Sequence, residues 1–119
     1  MNKKFPQYAP ATQIAYKPDG ATTLHLRKCQ LTIEQNGNLQ HCTFEKATVT
    51  IGLMDDNDLV LTDDTVSRYH CKIYQEGNHY ILQDLGSTNG TFINQIRVRE
   101  AFLKPGNVLE IGNTKITFQ

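Results

Sequence analysis

The chain has 119 residues, 39% of them hydrophobic, with Lys+Arg and Asp+Glu both at 12. That length fits one domain with a core of its own, needing no disulfide or metal staples, and the composition is too apolar for a disordered segment. The even charge balance excludes the basic excess of a nucleic-acid binder, and no apolar run approaches the roughly 20 residues of a membrane helix.

Residues 1–23 hold three of the four prolines (Pro6, Pro10 and Pro18) and little periodicity. They read as an N-terminal extension. Its opening, Met1 to Gln13, carries two lysines but no apolar core of a secretory signal. From Leu24 to Gln119 the chain reads as one domain of short strands broken by turns. An extended stretch begins at Leu24 and Leu26, and Leu31 and Ile33 then alternate with Thr32 and Glu34. Asn36-Gly37 is a turn pair suited to positive φ angles. Cys42 and Phe44 follow at period two, and Val49 and Ile51 continue to Gly52. Leu59-Val60-Leu61 is a short strand, and Cys71 with Ile73 begins another. Glu76-Gly77-Asn78 turns into Tyr80 and Leu82. Residues 86–90, Gly-Ser-Thr-Asn-Gly, form a turn cluster before Thr91-Phe92-Ile93, and Asn94-Gln95 turns into Ile96 and Val98. Pro105-Gly106-Asn107 leads to Leu109 and Ile111, and Gly112-Asn113 to Ile116 and Phe118. No helical apolar period persists, so the expected fold is an all-β sandwich or barrel.

Cys29, Cys42 and Cys71 are odd in number, lack a C-x-x-C spacing and lie in alternating apolar stretches. They read as buried free thiols in a reducing, cytoplasmic setting, not as disulfide or metal ligands. Charge is uneven along the chain. Residues 1–50 carry six basic and three acidic side chains, net +3, and residues 51–119 carry six and nine, net −3.

An enzyme would need a nucleophile, a base and an orienting group. Ser67-x-x-His70 is the tempting pair, but no G-x-S-x-G elbow surrounds it. An imidazole three residues from a serine also serves to fix a turn, so catalysis is not the expected role. His25, His41 and His79 show no metal-ligand spacing, and no cofactor motif is present. Three loops are rich in small polar donors: 52–58, 65–70 and 86–90. Hydroxyls, turn amides and an arginine suit a phosphate, although Ser, Thr, Asn and Gly are also ordinary turn formers.

Ile51-Gly52, Ser67-Arg68-Tyr69-His70, and the run 85–94 (Leu-Gly-Ser-Thr-Asn-Gly-Thr-Phe-Ile-Asn) together resemble the forkhead-associated (FHA) pattern. The ending Leu103-Lys104-Pro105-Gly106-Asn107 with Leu109-x-Ile111-Gly112 extends the resemblance over about residues 29–118. The resemblance implies an FHA/SMAD-like two-sheet β-sandwich of about eleven strands, with recognition loops at one end. It implies phosphothreonine-peptide recognition in signalling, and no enzymatic activity. In that reading Ser67 donates to the phosphate, Thr88 holds the phosphothreonine at the rim, Asn89 bonds the peptide backbone and Arg68 borders the peptide. His70, Gly52 and Gly90 shape the loops.

One position departs from the pattern. The family has Gly-Arg where this chain has Gly52-Leu53, and that arginine is a principal phosphate contact in the family. Losing a charge-assisted hydrogen bond of about 1.5–3 kcal/mol would weaken binding roughly tenfold to more than a hundredfold. Two readings follow: a phosphothreonine module with a modified pocket, or a phospho-independent interaction or dimerisation module on the same scaffold. Thr12, Thr22 and Thr23 are candidate phosphothreonines of the chain's own tail. Arg99 to Gly106 is most like bacterial examples, in which such a domain is fused to a signalling output. No membrane or nucleic-acid partner is expected, and the oligomeric state is a monomer or weak dimer.

Overall fold

A computed structural model describes residues 28–119, together with the backbone of two short strands, β1 (Ala15–Tyr16) and β2 (Thr22–Thr23), which pair antiparallel. Thr12 and the stretch expected from Leu24 to Arg27 lie outside the described residues, while Thr22 and Thr23 form β2.

The domain proper is a sandwich of two sheets, and its eleven strands agree with the expected fold class. They are β3 (Cys29–Gln35), β4 (Asn38–Phe44), β5 (Thr48–Gly52), β6 (Leu59–Val60), β7 (Cys71–Glu76), β8 (His79–Asp84), β9 (Thr91–Ile93), β10 (Ile96–Val98), β11 (Glu100–Leu103), β12 (Val108–Ile111) and β13 (Thr114–Phe118). One sheet runs β10-β9-β12-β13-β3-β4 and the other β11-β8-β7-β5-β6. Their pairings are antiparallel except for β5 with β6.

Alternation makes these strands. In β3, Cys29, Leu31 and Ile33 point inward, and Gln30, Thr32 and Glu34 point out or sit at the rim. Leu31, Ile51, Leu61, Ile73, Leu82, Leu109, Ile111 and Ile116 fill the space between the sheets and are almost wholly buried. Burying one such side chain contributes about 1.5–3 kcal/mol, so this layer dominates stability. Turns fix the register. Asn36 and Gly37 both take positive φ, 55° and 79°, as do Asn94 and Gln95 at 48° and 72°. Two consecutive positive values suit a two-residue hairpin turn whose twist matches its strands.

The cysteines are free. Burial raises the Cys29 thiol to about 11 and raises that of Cys71 as well. Cys42 differs from the sequence expectation. It is only half buried, because β4 is an edge strand with four exposed residues in succession. Among the described residues no helix is long and apolar enough to cross a membrane.

Register also places the site. Ile51 of β5 sits opposite Cys71 of β7, and Cys71 opposite Asp84 of β8. The end of β5, the start of β7 and the end of β8 therefore lie in one row. The loops 53–58, 61–70 and 85–90 all leave from that row, at one end of the sandwich.

Candidate functional site

The loop 61–70 is built around His70, which is wholly buried. Its Nδ1 accepts the Ser67 amide at 3.0 Å, so Nε2 carries the proton and donates to the Gly90 carbonyl at 2.8 Å. The ring thus ties its own loop to the loop 85–90. Its backbone is fixed too, since His70 N–H donates to Ile51 O at 2.9 Å and Leu85 N–H to His70 O at 2.9 Å.

Ser67 is half buried beside it. Its Oγ accepts the Thr88 amide at 3.0 Å. A hydroxyl has one proton to give and two lone pairs to accept with. The Thr88 amide uses one lone pair, and the Ser67 proton stays available to a ligand. Asn89 donates from Nδ2 to the Thr65 carbonyl at 2.9 Å, a third tie between the same two loops. Thr88, Asn89 and Arg68 are exposed.

The loop 53–58 docks on the first through its backbone. Leu53 N–H donates to Ser67 O at 3.1 Å, and Met54 N–H to Arg68 O at 3.2 Å. Gly52 is required here, because a Cβ at that position would lie 2.2 Å from Arg68 O. Asn57, buried, donates from Nδ2 to both Met54 O and Arg68 O, at 2.8 and 2.9 Å. The Arg68 backbone is therefore held from two sides, while its side chain makes no ion pair among the described residues.

Asp84 organises the loop 85–90. Its carboxylate accepts Gly86 N–H at 2.9 Å, Ser87 N–H at 3.0 Å, and the Ser87 and Thr91 hydroxyls at 2.6 Å each. Burial pushes its pKa up, but the bonds from Ser87, Thr91 and Gly86 outweigh that and hold it below the usual carboxylate range. Asp63 does the same for the loop 61–70 and the β12–β13 turn. It bonds Thr65, the Asn113 amide at 2.8 Å and the Thr114 hydroxyl at 3.1 Å, and its pKa is lowered on balance. Asp58 accepts the Thr50 amide at 2.9 Å and pairs with Lys46. Tyr69 donates to Asp56 at 2.9 Å.

These ties leave an open groove of about 610 Å³ lined by Val66, Ser67, Arg68, Tyr69, Leu85, Gly86 and Thr88. Ser67, Arg68 and Thr88 thus converge on one depression, while Asn89 does not line it and Gly52, His70 and Gly90 fix the supporting loops. Leu53 does not line it. It faces a second depression with Gln35, Asn36, Thr62, Asp63, Asp64 and Asn113. A hydroxyl, a guanidinium and loop amides can bind an anion. Of the residues that hold the groove, Asp63 was not singled out in the sequence, and Asn57, Thr65 and Asp84 had no role of their own there. Asn57 stood in an acidic run, and Asp84 stood three residues before the Ser87 that it bonds. Asp84 also opens the Asp-Leu-Gly-Ser-Thr-Asn-Gly run of residues 84–90.

The chain spans about half or less of the length of the curated relatives it matches. FHA domain-containing protein FhaB of Mycobacterium tuberculosis is 41% identical over 75 residues, 62% of this chain and 48% of that protein. The transcriptional regulatory protein EmbR of the same organism is 38% identical over 76 residues, 63% of this chain and 20% of that protein. Mycobacterium tuberculosis EmbR solved in complex with a low-affinity phosphopeptide superposes with a TM-score of 0.70 at 28% identity, over 87% of this chain and 26% of that one. A domain solved in a structural and functional analysis of phosphothreonine-dependent FHA domain interactions superposes with a TM-score of 0.68 at 32% identity, over 76% of this chain and 95% of that one. The family profile of the FHA domain matches residues 49–112, more than half of the sequence, and the chain belongs to the FHA domain family.

Proposed function

We propose that this domain binds phosphothreonine segments of partner proteins in the groove of Ser67, Arg68 and Thr88. The observation that carries the reading is the Ser67–Thr88 bond. It leaves the Ser67 proton free on a residue that lines the groove, and a phosphate offers three acceptor oxygens and a charge of about −1.5 to −2. Ser67 donates to a phosphate oxygen, Thr88 holds the rim, and Asn89 bonds the peptide backbone with its Oδ1 and remaining amide hydrogen. Among the described residues Arg68 is the one cationic side chain lining the groove. Its carbonyl is pinned by Met54 and Asn57, so its side chain starts from a fixed point. A domain solved for phosphothreonine-dependent interactions and the EmbR phosphopeptide complex, both similar to this chain, support the reading. Thr12, Thr22 and Thr23 would be targets of the same groove if phosphorylated.

Leu53 favours a second reading, in which the scaffold binds partners without phosphate. Its side chain is 37% exposed and brings neither charge nor donor to the recognition end. Fluorescence anisotropy on the dephosphorylated full chain separates the two. A degenerate phosphothreonine peptide pool should bind in the micromolar range and lose binding without the phosphate. Equal affinity for the unphosphorylated pool would establish the second reading instead.

A further inference from the structure

Arg97 lies at the recognition end although it belongs to β10, away from the three loops. Register sets it opposite Phe92, and its side chain runs back over Gly90. A Cβ on Gly90 would lie 2.8 Å from Arg97 Nε and 3.0 Å from Cζ. The guanidinium thus occupies the space that a side chain would fill on the loop 85–90. Gly90 has φ +91° as well, so glycine there satisfies both the turn and the arginine. Arg97 is exposed and forms no ion pair with any described residue. A guanidinium laid against backbone, with five donors and no carboxylate partner, is available to an incoming anion.

We propose that Arg97 receives a second anionic group of the bound phosphothreonine segment, a carboxylate or another phosphate, and so selects acidic targets. This rests on the phosphothreonine reading above. Thr88 is tied to Ser67, and Gly90 follows it by two residues through a bend, so the two stand at most about 7 Å apart along the chain. The second anion therefore falls within about three residues of the phosphothreonine. Charge at this end is divided to match. Arg68 and Arg97 border the loop 85–90, whereas Asp55 and Asp64 stand exposed, without an ion pair, on the other two loops. An acidic flank is drawn toward Arg68 and Arg97 and away from Asp55 and Asp64.

The test is anisotropy on the full chain with phosphothreonine peptides of alanine background. Glutamate, phosphoserine or lysine is placed two or three residues to either side. The wild type is expected to prefer an anion over lysine by about fivefold or more at one of these positions. Arg97→Gln is expected to erase the preference and Arg97→Glu to reverse it toward lysine, an effect that a merely structural arginine would not have. Preference for both anions identifies a carboxylate-compatible site, and preference for phosphoserine alone identifies a second phosphate site. An absent preference, or one unchanged in Arg97→Glu, overturns the proposal while binding of the alanine peptide upholds the phosphothreonine reading. If the alanine peptide and all its variants fail to bind, both fall together.

Discussion

Ser67 and Thr88 stand 21 residues apart in sequence, and one hydrogen bond of 3.0 Å from the Thr88 amide to Ser67 Oγ joins them. That bond orients the hydroxyl. It also sets the width of the groove, since each partner belongs to a different loop.

Ser67→Ala removes the proposed phosphate donor and the acceptor for Thr88 at once. Phosphopeptide affinity should fall at least about tenfold, as expected for a charge-assisted bond. Stability should fall by less than about 1 kcal/mol, because the exposed Thr88 amide turns to water. Anisotropy and urea denaturation measure the two effects separately. A large stability loss with unchanged binding would reduce Ser67 to a loop fastener.

Leu53→Arg restores a cation to the β5–β6 loop. Leu53 is more than a third exposed and its backbone is already fixed to Ser67 O at 3.1 Å, so the fold has no reason to resist the change. Phosphopeptide binding should tighten by about tenfold and become more salt-dependent. The exposed Asp64 in the depression beside Leu53 is the competitor for the new guanidinium. Titrations at two salt concentrations measure the gain. Unchanged affinity would mean that the arginine pairs there and that the groove does without it.

Much of this molecule was legible in its sequence because strands and turns are local. The alternation of Leu31 and Ile33 gave β3, Asn36-Gly37 gave its hairpin, and Ser67-x-x-His70 with the 85–94 run marked two of the loops that meet at one end of the sandwich. What escaped is long-range. Asp63 bonds Asn113 and Thr114 about 50 residues away, and no spacing rule foretells a carboxylate that serves two distant turns. Asn57 was hidden in an acidic run, and its two carbonyl partners belong to backbone, which sequence does not distinguish. The parallel pairing of β5 and β6 was equally silent, since Leu59-Val60 reads the same in either direction. The reach of Arg97 depends on the absence of a side chain at Gly90, visible only once the two strands are paired.

His70→Ala should be the most damaging single change at this end. It leaves the Ser67 amide and the Gly90 carbonyl without their partner and opens a cavity at a wholly buried position. Unsatisfied buried groups cost about 1–3 kcal/mol each, so a loss of about 3 kcal/mol is expected. Urea denaturation provides the number. A loss below about 1 kcal/mol would show that water replaces the ring and that the loops are held by other bonds.

Acid should loosen the recognition end through Asp84. Its folded-state pKa is depressed: burial raises it, and the bonds from Ser87, Thr91 and Gly86 lower it further than burial lifts it. A depressed carboxylate contributes stability above its unfolded pKa of about 3.9 and loses that contribution as pH falls through the folded value. Asp58 and Asp63 are depressed on balance too and act in the same direction. Stability should therefore hold near pH 5 to 7 and decline from about pH 4 downward. Asp84→Asn removes one of these three depressed carboxylates, so its stability should start lower at neutral pH and fall less between about pH 5 and pH 3 than that of the wild type. Urea unfolding of both proteins across that window tests the assignment. Parallel curves would mean that the Asp84 bonds survive protonation and that the acid sensitivity lies with Asp58 and Asp63.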